Sequence, residues 1–84
     1  MTKVHQLKTW PEFFRHIQSG NKTFEIRVND RDFQVGDILH LQEWDPEIRT
    51  YTGKMVSRRI TYMTNWFQPN GYVVMALKEM GPDE

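Results

Sequence analysis

The stretch Gly20–Arg27, "GNKTFEIR", decides how this chain reads. Phe24 and Ile26 alternate with Thr23, Glu25 and Arg27, the period of two expected for a strand with one apolar and one polar face. The alternation predicts that Phe24, Ile26 and then Val28 face the core, with Thr23, Glu25 and Arg27 on the other side. Glu25 and Arg27 are then same-face neighbours about 7 Å apart. Arg27 offers a planar fork suited to phosphate or carboxylate, and Glu25 can accept from an amine or a base edge. Lys22 adds a cation at the strand entry. Two readings follow. The row is a solvated outer face with an ion pair worth little, or it lines a cleft and grips a charged guest.

Upstream lies the clearest helix, "TWPEFFRHIQSG". Trp10, Phe13, Phe14 and Ile17 recur at three- and four-residue steps, an apolar stripe for the core. Thr9 and Glu12 have capping-box spacing, but Pro11 disfavours helical geometry at Trp10 and moves the cap one residue later. Gly20 is a natural stop. Before the helix, "VHQLKT" is a short strand candidate.

Downstream, "NDRDFQVGD" reads as a polar loop and "ILHLQEW" as the next strand. "DPEIRTYTG" is a wide hairpin or bulge, "KMVSRRITYMT" a long strand, and "NWFQPNG" a turn. "YVVMALK" is a fully buried strand by its continuous apolar run. One helix followed by four or five short strands predicts a compact α+β domain built on a small β-barrel, with the N-terminal helix packed beside it. The domain core runs over about residues 4–79, and 81–84 form a loose tail.

The 84 residues suffice for one domain, and eleven aromatic side chains supply much of the core. With no cysteine, disulfides and thiolate metal sites are excluded. No apolar run reaches membrane-spanning length and no signal-peptide pattern opens the chain, so a cytoplasmic protein is expected. The formal net charge of zero argues against strong nonspecific nucleic-acid binding. The charge is nevertheless in blocks. Residues 1–31 are net basic, 32–48 hold acids only, and 49–59 hold bases only. Such blocks either form a local basic patch or neutralise each other across neighbouring strands.

Glu43 is the second candidate site residue. It shares a strand face with Leu39 and Leu41, so an inward row would carry a carboxylate that needs a partner, with Lys22, Arg27 or Lys8 as candidates. Alternatively the strand bulges at Gln42 and Glu43 reaches solvent. His5, His16 and His40 have no ligand spacing, so neither a metal site nor a cofactor is expected. Arg58 and Arg59 point to opposite faces, so at most one serves a given surface. Trp44, Trp66 and Phe67 either stack on bases or close the barrel ends.

Gly20, Lys22, Glu25 and Arg27 fit the G-x-K-x-x-E-x-R signature of the ASCH family, in the PUA-like superfamily. With "HQLKTWPEFF", "NDRDFQVGD", "YTG", "ITYM" and "GYVVM", the chain from about His5 to Leu77 resembles a small ASCH-like subfamily of bacterial and phage origin. The resemblance implies a PUA-like β-barrel whose cleft beside the helix takes RNA or a modified nucleotide, with Lys22, Glu25 and Arg27 lining it. Lys8 and Glu43 join that set from alternation and charge pairing. One similar branch hydrolyses acetylated cytidine with a Lys, a Thr and a Glu. Its lysine matches Lys22, but its threonine falls where this chain has Glu25.

Three functions are therefore weighed. The leading one is an RNA- or nucleotide-binding module, in which Lys22 and Arg27 hold phosphate or ribose, Glu25 reads a donor and an aromatic stacks on the base. The second is a small amidohydrolase for an acetylated cytidine-type nucleoside, with Lys22 as the amine and Glu25 or Glu43 shuttling protons. The third is a protein-interaction accessory domain, favoured by an exposed patch of Trp44, Trp66 and Phe67.

Overall fold

The computed structural model describes residues 2–81. The last three residues of the expected tail, 82–84, lie outside the described residues. The elements are β1 (Val4–Thr9), α1 (Pro11–Ser19), β2 (Phe24–Val28), β3 (Ile38–Asp45), β4 (Thr50–Thr64) and β5 (Tyr72–Glu79). They form one five-stranded sheet in the order β1-β3-β4-β5-β2, with β1 and β3 parallel and the other pairs antiparallel. The sheet is curled into a half-barrel with one short helix, so the expected barrel is an open one.

β4 explains the curl. Thr50–Arg59 pairs with β3, Arg58–Thr64 pairs with β5, and the second ladder shifts register between Ile60 and Tyr62. A strand that changes partner along its length across a bulge must bend and twist, which coils the sheet. Leu7, Leu39, Leu41, Ile60, Val73, Met75 and Leu77 fill the inner face, and α1 adds Phe14 and Ile17.

The helix begins where proline allows. Trp10 is the N-cap in extended geometry without a side-chain cap bond, Pro11 opens the first turn, and Gly20 closes the helix at φ 86°. The predicted stripe splits. Phe14 and Ile17 are buried, whereas Trp10 and Phe13 are exposed.

β2 overturns the predicted facing. Its register sets Glu25 opposite Met75 and Arg27 opposite Val73, both core residues, while Phe24, Ile26 and Val28 pair with Ala76, Val74 and Tyr72 on the outside. Glu25 is 4% exposed and Ile26 is 49% exposed. Opposed residues of an antiparallel pair share a face, so β5 decides which side of β2 is inner. β5 itself is buried on one face, while on the other Val74 and Ala76 are half-buried between exposed Tyr72 and Lys78, so it is not the fully buried strand its apolar run predicts.

A buried polar knot ties the start of β1 to the start of β3. Asp37 Oδ2 accepts from His5 Nε2 (2.9 Å) and from the Gln34 backbone N–H (3.0 Å), and Oδ1 accepts from the Lys3 N–H (3.1 Å). His5 stands edge-on to Phe33, with ring centroids 4.7 Å apart. Phe33 is buried within the segment that reads as a polar loop. Burial works against the Asp37 carboxylate, but the bonds from His5 and the two backbone N–H groups prevail and hold its pKa below the ordinary 3.8.

Candidate functional site

The two sheet edges, β1 and β2, approach each other beside α1 without forming a ladder. Side chains bridge them instead. Arg27 Nη2 donates to the carbonyl of Lys8 (2.8 Å), and Arg31 Nη1 donates to that of Gln6 (2.7 Å). Two edge carbonyls of β1 are thereby satisfied by guanidinium groups rather than by a strand.

A cleft of about 550 Å³ opens at this seam, a size typical of small-molecule sites. β1 contributes Lys8 and Thr9, and α1 with its cap contributes Trp10 and Phe13. Lys22 and β2 from Phe24 to Arg27 complete the lining. Local sequence explains the walls. The proline-initiated helix leaves Trp10 and Phe13 off the core, and the reversed β2 turns Phe24 and Ile26 outward, so apolar groups expected in the interior border the cleft instead.

An ion cluster centred on Glu25 occupies the cleft wall. Lys22 Nζ donates to Glu25 Oε1 (2.6 Å) and to the Phe24 carbonyl (2.7 Å). Arg27 Nε donates to Glu25 Oε2 (2.8 Å). The Lys22 ammonium also lies 4.8 Å from the Phe24 ring centroid and 5.8 Å from that of Phe13. Burying Glu25 alone would be costly, and two charge-assisted contacts offset that cost. The cluster holds two cations and one anion, an arrangement that leaves a positive charge and spare N–H donors facing a mostly apolar space.

Of the five predicted site residues, Lys22, Glu25, Arg27 and Lys8 line this cleft. Lys8 sits apart from the Glu25 cluster in charge, its ammonium 4.0 Å over the Trp44 ring. Glu43 does not join them. The β3–β4 register shifts between Gln42 and Trp44, and the half-buried Glu43 accepts at Oε1 from Thr52 (2.7 Å) in place of the candidate partners Lys22, Arg27 and Lys8. Thr9 is the lining residue that sequence reasoning took only for a helix cap. With the cap at Trp10, its hydroxyl is buried and has no hydrogen-bond partner among the described residues.

The remaining candidates are placed elsewhere. Arg58 Nη2 donates to the Ile17 carbonyl near the end of α1 (3.1 Å), and Arg59 Nη1 donates to that of Gly36 (2.8 Å). Trp44 packs edge-on to Tyr51. Trp66 and Phe67 stack on each other at the β4–β5 turn, 76% and 88% exposed, and close no barrel end. Among the described residues no group of three His, Asp or Glu is placed to hold a metal ion, and no helix is long and apolar enough to cross a membrane.

Comparison with known proteins sets these residues in a family. An uncharacterized 12.9 kDa protein in the GpA 3′ region of Escherichia phage P2 is 37% identical over 65 residues, which is 77% of this chain and 58% of that protein. Thus the match spans less than two thirds of its phage relative. The family described as "Domain of unknown function (DUF3850)" matches residues 4–77, from the first residue of β1 into β5 and across every cleft-lining position, and the chain belongs to that family.

Proposed function

We propose that this chain is an ASCH-like domain of the PUA-like superfamily that binds RNA or a nucleotide-like ligand in the cleft between α1, β1 and β2. One observation carries the reading. The signature residues Lys22, Glu25 and Arg27 form a single ion cluster in the wall of an open cleft that three aromatic side chains also line. Trp10, Phe13 and Phe24 offer flat surfaces to a base, and the cluster's spare donors suit its polar edge or the ribose. A narrow cleft of this volume takes a single strand or a splayed nucleotide rather than a duplex.

The amidohydrolase reading has one observation in its favour, since Thr9, whose buried hydroxyl has no partner among the described residues, borders the cleft that holds Lys22 and Glu25. The proton carriers it names are engaged. Each Glu25 oxygen already accepts a charge-assisted bond, Lys22 donates twice, and Glu43 lies with Thr52. Binding without hydrolysis is the better account, and release of acetate from acetylated cytidine would reverse that preference.

The test is titration of a fluorescent single-stranded RNA at about 50 mM salt. Trp10→Ala and Lys8→Ala are the informative variants, because both side chains are exposed and neither change strands Glu25. Expected is saturable binding with a shallow salt dependence, weakened roughly tenfold by Trp10→Ala through lost stacking. Absence of binding by RNA and by mononucleotides, or binding indifferent to both variants, overturns the reading.

A further inference from the structure

The seam between the β1 and β2 edges offers more donors than acceptors. The Lys3 carbonyl accepts from the Ile38 N–H, so alternation along β1 turns the backbone groups of Gln6 and Lys8 away from β3 and toward the seam. The Thr23 carbonyl accepts from the Leu77 N–H, and the Asn29 N–H donates to Gly71. Along β2 the backbone groups of Phe24, Ile26 and Val28 therefore face the seam as well. Arg31 and Arg27 take the Gln6 and Lys8 carbonyls, Lys22 takes that of Phe24, and the Asp30 N–H takes that of Val28. Among these outward carbonyls only that of Ile26 stays open, whereas no ladder supplies an acceptor to the N–H groups beside them.

The charges agree with the donors. Lys8, Lys22, Arg27 and Arg31 face Glu25 and Asp30, while the neighbouring Asp32 pairs with Lys3 (3.8 Å), so the seam is net positive. Arg27 Nη1 and the Nε and Nη2 groups of Arg31 donate to no described residue. An added peptide strand would need acceptors as often as donors, and this edge has spent its carbonyls. A sugar-phosphate backbone matches it better, because it presents charged oxygen acceptors along its length. The two guanidinium groups hold β1 carbonyls two residues apart, roughly 7 Å along the strand and about one step of a stretched nucleotide chain. Arg31 is not among the cleft-lining residues, so a ligand that engages it must run past the cleft.

Resting on the nucleotide-like reading of the cleft, we propose that the ligand is a single-stranded oligonucleotide whose backbone runs along the β1–β2 seam, with Arg31 holding a phosphate beyond the cleft. One nucleotide lies in the cleft against Lys22 and Arg27, and the next phosphate meets Arg31.

Titration of the full chain with uridine monophosphate and with a labelled oligouridine of about eight nucleotides, at several salt concentrations, tests this. The oligonucleotide is expected to bind at least about tenfold more tightly than the monophosphate, with log K falling against log salt at a slope of about −2 for three phosphate contacts. Arg31→Gln should weaken it about five- to tenfold and make the slope shallower by about 0.7, whereas Arg31→Lys should keep the slope. Neither change should move monophosphate affinity by more than about twofold, since Arg31 stands outside the cleft. A merely structural Arg31 would alter the melting temperature and leave the slope as it was. An oligonucleotide no tighter than the monophosphate, an unchanged slope in Arg31→Gln, or an acidic peptide of similar length binding as tightly each overturns the inference, while monophosphate binding keeps the nucleotide reading. If neither the oligonucleotide nor the monophosphate binds, that reading falls, and the inference falls with it.

Discussion

The molecule buries two carboxylates in opposite styles. Asp37, 2% exposed, is held by two backbone N–H groups and a buried histidine, all fixed by the fold around the starts of β1 and β3. Glu25, 4% exposed, is held by two cations that are themselves partly exposed, at the edge of an open cleft. The first arrangement has no room for a guest and spends its donors on chain geometry. The second keeps donors free beside an apolar space. Burial of a charge thus marks a fold staple in one place and a candidate binding site in the other, and the exposure of the partners separates the two.

Removing the staple should have the largest effect. Asp37→Ala leaves the Lys3 and Gln34 N–H groups and His5 without their acceptor, and is expected to cost about 3–5 kcal/mol in urea unfolding. Ligand affinity of the folded fraction should not change, because the knot lies outside the cleft.

The cleft cluster should behave differently. Lys22→Ala with Arg27→Ala strands a buried carboxylate and should cost about 3 kcal/mol, but adding Glu25→Gln should recover much of it, since the uncompensated charge is then gone. Stability of the double and triple variants at neutral pH is the measurement. A triple variant no more stable than the double would place the cost in lost packing instead.

A smaller effect is expected with acid. The folded pKa of Asp37 lies below its unfolded value, so its contribution is complete above about 3.8 and fades as pH falls through the folded value. Stability measured from pH 6 down to pH 2 should therefore decline, and Asp37→Asn should flatten that decline. An equally steep acid limb in the variant would remove Asp37 from the account.

The smallest change is the most direct check on strand facing. Ile26→Thr, at a half-exposed position, should alter stability by no more than about 0.5 kcal/mol, whereas Met75→Ala on the partner strand should cost about 2–5 kcal/mol. A core-sized loss at Ile26 would restore the facing that the alternation alone suggests.

These residues also show what could be read in advance. The helix was legible because Pro11 and Gly20 bound a periodic segment, and the strands because turn residues separate alternating runs. Lys22, Glu25 and Arg27 stood out through spacing, although Glu25 and Arg27 share their face with the core residues Met75 and Val73 and not the side away from the core. Phe33, Thr9 and the partner of Glu43 were not legible. Each depends on a contact with a chain segment distant in sequence or on a bulge, and neither leaves a local pattern.

The sequence by itself determined the element types, the absence of thiol chemistry and the grouping of charges around residue 25, because period, breakers and composition are local properties. Tertiary structure alone decided that β2 turns its charged side inward, since a strand's inner face is set by the neighbour it pairs with. The same pairing put Phe24 and Ile26 in the lining with Trp10 and Phe13, and so built the apolar part of the cleft.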